Sequence, residues 1–325
     1  MGPLRRISLL LVGVMLLAAC GDAATTTTTS VTTSSTLATT TTTAATSTTA
    51  AAFPVTVEAG NGPVTIEERP QRVVSLSATH TEVLYAIGAG DQVVGTDLTS
   101  NYPPEAEATA RVDAFNFDVE EVAALSPDLV VLAFDFGGEV AALDAIAVTT
   151  LLLPPPATLE GALDQMRLLG EVTGHAAAAD ALATDQEQRI AAAVASVPAA
   201  AGGMTFFHEV DATLFSANSS TFLGDLYARL GLVNIADEVP DEFASGYVQV
   251  SPELILGTDP DFIFLADAAF GETAEAVATR PGWAELSAVQ EGRVVELDGD
   301  VAGRWGPRTA GLVEQIAAAV AGAVG

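Results

Sequence analysis

Lysine is absent from the 325 residues, cysteine occurs once, and histidine occurs three times. Each scarcity removes a class of function or a means of stabilisation. All twelve basic residues are arginines, set against 42 acids for a formal charge of −30, a surface that repels nucleic acid and anionic lipid. With Cys20 alone no intrachain disulfide can form, so burial must hold the fold together. His80, His175 and His208 are few for a receptor of bare metal ions. Enzymatic constellations are also missing. There is no Gly-x-Ser-x-Gly elbow, and Ser219-Ser220 has no identifiable His and Asp partners. Gly88-Ala89-Gly90 ends a helical pattern and precedes a strand, the reverse of a phosphate-binding turn. The chain therefore reads as a non-enzyme.

What is present begins with Cys20. Arg5 and Arg6 precede an apolar run, Ile7 to Ala19, of 13 residues. That is the length of a signal-peptide core and short of the roughly 20 residues a spanning helix needs. Leu17-Ala18-Ala19-Cys20-Gly21 resembles a bacterial lipobox, which implies cleavage and lipidation at Cys20 and a signal peptide over residues 1–20. Residues 21–52 are dominated by Thr, Ala and Ser, too polar and featureless to offset their ordering entropy, and are expected to form a disordered tether. Thirty such residues reach roughly 30 Å. The chain is thus expected outside the cytoplasm, held to the membrane's outer face by a lipid anchor.

Two of the arginines and one of the acids precede Phe53, which leaves ten against 41, a formal charge of −31 on the remainder. That remainder is long enough for two lobes with cores of their own. Short β-branched runs at Arg72–Leu76, Val93–Gly95, Asp128–Leu132 and Val148–Leu153 alternate with helical patterns such as Thr81–Ile87 and Val119–Leu125. A second set follows at Met204–Phe207, Asp261–Leu265 and Arg293–Leu297. The order predicts an α/β fold: two Rossmann-like lobes with central parallel sheets joined by a long helix. The boundaries fall at 53–157 for the first lobe, 158–198 for the joining helix and 199–325 for the second lobe, with Gly170 and Gly174 weakening the helical pattern.

A spaced repeat relates the lobes. Glu120 stands seven residues before Pro127-Asp128 and a strand pattern, and Glu253 stands seven before Pro260-Asp261 and another. Leu84-Tyr85-Ala86 and Leu226-Tyr227-Ala228 fall in comparable helical patterns. Such spacing is the mark of a duplicated unit.

Several segments, in this order, resemble the solute-binding proteins of ABC importers for iron chelates, haem and cobalamin. They include Pro70-Gln71-Arg72-Val73-Val74-Ser75-Leu76, Thr81-Glu82-Val83-Leu84-Tyr85-Ala86-Ile87-Gly88, Ser100-Asn101-Tyr102-Pro103-Pro104, Leu125-Ser126-Pro127-Asp128-Leu129-Val130 and Arg280-Pro281-Gly282-Trp283. The resemblance implies a ligand cleft between the lobes, small domain motion, and delivery to a permease with its ATPase. It also implies that Glu120 and Glu253 dock against that permease; as residues in first helical turns they would otherwise serve only the helix dipole. A monomer is expected, with no resident cofactor.

Tyr102, Phe115, Phe117, Tyr247 and Trp305 are aromatics in loops after strands, where a bulky planar ligand could rest. By resemblance, Tyr247 matches a ligand-facing aromatic of cobalamin-binding members, Asp300 and Arg304 lie in a segment whose Asp and Arg face the ligand, and Tyr102 matches an iron-ligating tyrosine of haem-binding members. Trp283 is assigned to packing. His208 is placed at the cleft, and with His80 it forms the alternative reading of a bare metal-ion receptor. A further alternative is a surface lipoprotein that senses its ligand without a permease. Few arginines fall near the presumed cleft, which favours a neutral or weakly charged cargo over a ferric catecholate.

Overall fold

The computed structural model describes residues 53–324. Cys20, the signal-peptide pattern and the Thr-rich stretch lie outside the described residues. A two-stranded antiparallel ribbon, β1 (Val55–Ala59) and β2 (Gly62–Ile66), leads into β3 (Val73–Leu76), α1 (Ala78–Ala86), β4 (Val93–Asp97), β5 (Ala110–Val112), α2 (Val119–Ala124), β6 (Leu129–Leu132), α3 (Glu139–Ala145) and β7 (Thr150–Leu152). β3 to β7 form one parallel sheet in the order β5-β4-β3-β6-β7.

Two helices follow, α4 (Leu159–Thr173) and α5 (Ala176–Ser196). The second lobe contains β8 (Thr205–Glu209), β9 (Phe215–Ala217), α6 (Phe222–Arg229), β10 (Val233–Asn234), β11 (Tyr247–Gln249), α7 (Pro252–Thr258), β12 (Phe262–Leu265), α8 (Ala274–Ala278), α9 (Ser287–Gln290), β13 (Val294–Glu296), α10 (Gly299–Ala302) and α11 (Thr309–Ala323). Its parallel sheet runs β10-β8-β12-β13, beside an antiparallel pair formed by β9 and β11.

The central strands β3, β6 and β12 are buried on both faces, as strands of parallel sheets covered by helices must be. Side chains alternate across the pleat. Val73, Leu129 and Val131 join a core that continues through α1, α4, α5 and into the second lobe, while Val74, Leu76, Val130 and Leu132 enter a separate cluster with Val122 and Leu143. In the second lobe Phe206, Phe262 and Phe264 belong to the continuous core, and Phe207, Ile263 and Leu265 pack on the other face with Trp283. Trp283 is 2 % exposed and edge-on to Phe207 at 6.3 Å, in agreement with the packing role expected for it.

The repeat is architectural. β4-β3-β6-β7 and β10-β8-β12-β13 have the same order, with Val73 opposite Leu129 and Phe206 opposite Phe262. Ser126 and Asp259, each just before the Pro-Asp pair, both take left-handed backbone, with φ of 48° and 46°. The aspartates then do equivalent work. Asp128 accepts from the N–H groups of Gln71 (2.7 Å) and Arg72 (2.9 Å) at the start of β3. Asp261 accepts from the N–H of Thr205 (2.8 Å) at the start of β8. Each ties the mouth of one central strand to its neighbour.

The segment 158–198, expected as one helix, is two. Gly174, at φ 78°, ends α4 with a left-handed cap, and α5 folds back against α4. At Gly170 a Cβ would stand 2.2 Å from that of Ala179, so the glycine permits the close approach of the two helices. This hairpin is fastened to both lobes: Arg69 Nε of the first lobe donates to the Thr173 carbonyl at 3.0 Å, and the bonds to the second are more numerous. The N–H of Leu159 donates to Asp225 Oδ2 at 2.9 Å, Arg229 pairs with Glu160, and Arg189 makes a two-point pair with Glu314 on α11 at 2.9 and 2.8 Å. Gln186, buried on α5, accepts from the N–H of Ala310 at 2.9 Å.

Candidate functional site: a cleft at the strand ends

The carboxyl ends of β3 to β7 open toward the second lobe. Between the lobes lies a cavity of about 710 Å³, within the range of small-molecule sites. The first lobe contributes the start of α1 at Ser77 to Thr79, Asp97 at the end of β4 and Thr99 beyond it, Ala114 and Phe115 after β5, Phe134 and Phe136 after β6, and Pro155 to Ala157 after β7. The second contributes Ser220 to Leu223 at the start of α6, Ala244, Ser245 and Tyr247, and Gly299 to Trp305 except Val301. This is where an open α/β sheet places its ligand, beyond the carboxyl ends of its strands.

Five of the expected ligand residues line this cavity together: Phe115, Tyr247, Asp300, Arg304 and Trp305. Phe115 is 77 % exposed, so no packing requirement holds it there. Trp305 is oriented by its indole N–H, which donates to Gln165 Oε1 at 2.8 Å, and Gln165 in turn donates to the carbonyl of Pro154 at 2.7 Å. The hairpin thereby fixes a cleft aromatic.

Three expected ligand residues are elsewhere. Phe117 packs against the cluster that contains Val122 and Val112. It immediately precedes Asp118, whose carboxylate caps α2 by accepting from the N–H of Glu120 at 2.8 Å, so Phe117 stands where a hydrophobic staple would be. Tyr102 is part-exposed and lies under the Arg308 guanidinium, 4.5 Å from its ring centre, outside the cavity lining. His208 is inside β8 rather than beyond it. It is 1 % exposed and Nδ1 lies 3.0 Å from the Tyr227 hydroxyl. Burial lowers its pKa to about 3.

His80 is also buried, its Nε2 3.4 Å from Gln165 Oε1 and its ring edge-on to Trp305 at 6.0 Å; burial first, against a weaker opposing Gln165 hydrogen bond, lowers its pKa to about 4. The two histidines expected for a metal site are each buried against a different partner, Gln165 for His80 and Tyr227 for His208. Among the described residues no group of three or more His, Cys, Asp or Glu is arranged to hold a metal ion. His175 is half-buried, with Nε2 3.1 Å from Arg69 Nη2.

Phe134 and Phe136 escaped the sequence reading. Their rings stack at 4.9 Å and 12°, and Phe136 is 79 % exposed. Their position directly after a strand, the criterion that selected Phe115, was available in Leu132-Ala133-Phe134-Asp135-Phe136.

Arg304 is the one basic residue among the described residues that line the cavity. It is 9 % exposed and heavily engaged. Nη1 donates to Glu82 Oε1 (2.8 Å) and Asn101 Oδ1 (2.9 Å), and Nη2 donates to the Thr99 carbonyl (3.0 Å) and Asp300 Oδ1 (2.9 Å). Glu120 and Glu253 are exposed in the first turns of α2 and α7.

A family model described as periplasmic binding protein matches residues 73–301. The chain belongs to the periplasmic binding protein family. It is 32 % identical over 279 residues to an uncharacterised ABC transporter substrate-binding lipoprotein, YvrC, of Bacillus subtilis, covering 82 % of this chain and 86 % of that one. It is 30 % identical over 252 residues to the vitamin B12-binding protein of Vibrio cholerae, covering 76 % of this chain and 87 % of that one. Among solved structures, the periplasmic vitamin B12 binding protein BtuF of Vibrio cholerae superposes with a TM-score of 0.67 at 27 % identity, covering 79 % of this chain and 98 % of that one. These relatives are solute-binding proteins rather than enzymes, and the two parallel sheets and their helices match this class of periplasmic binding protein.

Proposed function

We propose that this protein captures a bulky, ring-containing chelate in the inter-lobe cleft and delivers it to an ABC importer, with cobalamin the first candidate and haem or a ferric siderophore behind it. The observation that carries this reading is the aromatic lining of the cleft, in which Phe115, Phe134, Phe136, Tyr247 and Trp305 surround a cavity of about 710 Å³. Exposed rings of this kind offer large apolar faces to a macrocycle at little conformational cost, and nearby polar groups fix its orientation. The naming of several relatives for vitamin B12 favours cobalamin within that set. Hairpin fastenings on both lobes suit a receptor that closes little on its ligand.

Delivery would use the exposed pair Glu120 and Glu253, which occupy equivalent positions on the two lobes, as the surfaces that meet the permease. Anchoring would use Cys20, holding the protein outside the cytoplasm by its lipid. Calorimetric titration of the purified protein with cyanocobalamin, a ferric hydroxamate and haemin in separate runs tests the reading. Micromolar or tighter binding of one of them is expected, and silence from all three would overturn it.

A further inference from the structure

Glu82, on α1, is 2 % exposed and receives two guanidinium groups from the opposite lobe. Its Oε1 accepts from Arg304 Nη1 at 2.8 Å and Arg308 Nη2 at 2.6 Å, and its Oε2 accepts from Arg308 Nε at 2.9 Å. Asp300 holds the other side of Arg304 and also accepts from Asn101 Nδ2 at 2.6 Å. Asp298 lies 3.6 Å from Arg308. Two arginines are thus matched by three carboxylates, and the cluster carries a formal charge of −1. Each terminal nitrogen of Arg304 already serves two acceptors, so neither is free for a ligand. A receptor that needed a cation in its cleft would leave that group unneutralised; here it is neutralised twice, once by a buried residue.

We propose that Glu82 and Asp300 are specificity-determining residues: by holding Arg304 in this network they withdraw the cleft's basic group from recognition and select against anionic cargo. The inference rests on the cleft being the ligand site. Arg304 acts here as a positioning residue that joins the lobes, and its charge is unavailable because its partners compensate it at contact distance.

The test compares two probes, neutral cyanocobalamin and a strongly anionic ferric tris-catecholate, on wild type, Asp300→Asn, and Asp300→Asn with Glu82→Gln. Asp300 has a half-exposed side chain, so its variant should fold, and Glu82→Gln keeps the shape and an acceptor oxygen. The expected result is tris-catecholate affinity about threefold higher in the single variant and at least about tenfold higher in the double, with the gain shrinking at high salt. Cyanocobalamin is the reference probe, and the ratio of the two affinities should move toward the tris-catecholate by about the same factors, since a neutral ligand does not feel the charge change. A merely structural role would weaken both probes together and leave their ratio unchanged, which would overturn the inference. Wild type that already prefers the catecholate would overturn it while sparing the cleft as the site. Folded wild type that binds neither probe, nor haemin, nor a ferric hydroxamate would remove the cleft reading as well.

Discussion

In the first lobe the ends of β5 and β6 run into loops that carry Phe115, Phe134 and Phe136. In the second lobe the corresponding rim is built from α10 and the loop after it, which bring Asp300, Arg304 and Trp305, and from the β9–β11 pair, which brings Tyr247. One wall offers ring faces and the other a mixture of rings and tethered polar groups. Yet behind these walls the sheets repeat each other down to the left-handed residues Ser126 and Asp259 and the strand-tying carboxylates Asp128 and Asp261. The frame is repeated, and the loops at the strand ends differ to make the two sides of the cleft.

The largest effect should come from the surface that the lobes share. Glu120→Ala combined with Glu253→Ala is expected to abolish transport in cells while leaving ligand affinity within about twofold, because both side chains are exposed and remote from the core. Lost affinity would break the symmetry of roles assigned to the two lobes.

Next comes a feature of the second lobe alone. Glu209, fully buried, is met by Arg280 through two bonds of 2.6 and 2.5 Å. Arg280→Ala would strand that carboxylate and should cost about 3–5 kcal/mol in denaturant unfolding. A cost near zero would mean that Glu209 finds water or takes up a proton.

The aromatic wall of the first lobe should be felt in binding rather than stability. Removing Phe134 or Phe136 is expected to weaken ligand binding by about tenfold per ring, with unfolding midpoints almost unchanged because Phe136 is largely exposed. Equal affinity in wild type and variants would shift the burden of recognition to the second lobe.

Each lobe also buries one neutral histidine, and pH separates them. His80 and His208 have pKa values lowered by burial to about 4 and about 3, below the ordinary value of about 6.5. Unfolded chain binds protons that folded chain refuses, so stability is full above pH 6.5 and falls as pH drops toward 4, by about 1.4 kcal/mol per pH unit for each histidine. Asp267, in the second lobe, runs the other way. Burial, with Glu209 nearby, raises its pKa to about 7, so the folded state holds its proton longer than the unfolded state and gains stability on acidification. Asp267→Asn should therefore steepen the acid decline and His80→Asn or His208→Asn should flatten it, as thermal melts between pH 7 and 5 would show.

The smallest effects should be the most symmetric. Asp128→Asn and Asp261→Asn each weaken charge-assisted bonds to strand-start N–H groups, and each should lower Tm by about 2–4 °C. Unequal losses would show that the repeat is one of shape but not of energetics.

Much of this frame was legible in the chain. Buried parallel strands appear as β-branched or aromatic runs after turn residues, and Pro127-Asp128 and Pro260-Asp261 announce the repeat because the same backbone turn needs the same residues. Less visible were β5, β9, β10 and β11, strands of two or three residues that pairing rather than propensity defines. The break at Gly174 was signalled by glycine, but only the fit of Gly170 against Ala179 shows why the helices fold back. His208 was misplaced because Phe206-Phe207 reads as the end of a strand that continues to Glu209. Arg304 was rightly brought to the cleft, but its partner Glu82 lies 222 residues away, and no local pattern shows that pairing.

The most direct test of the account is a crystal structure of the protein with cyanocobalamin. The account predicts the corrin against Phe134 and Phe136 on one side and Tyr247 and Trp305 on the other, with Arg304 still bonded to Glu82. A corrin bound outside the inter-lobe cleft would contradict it.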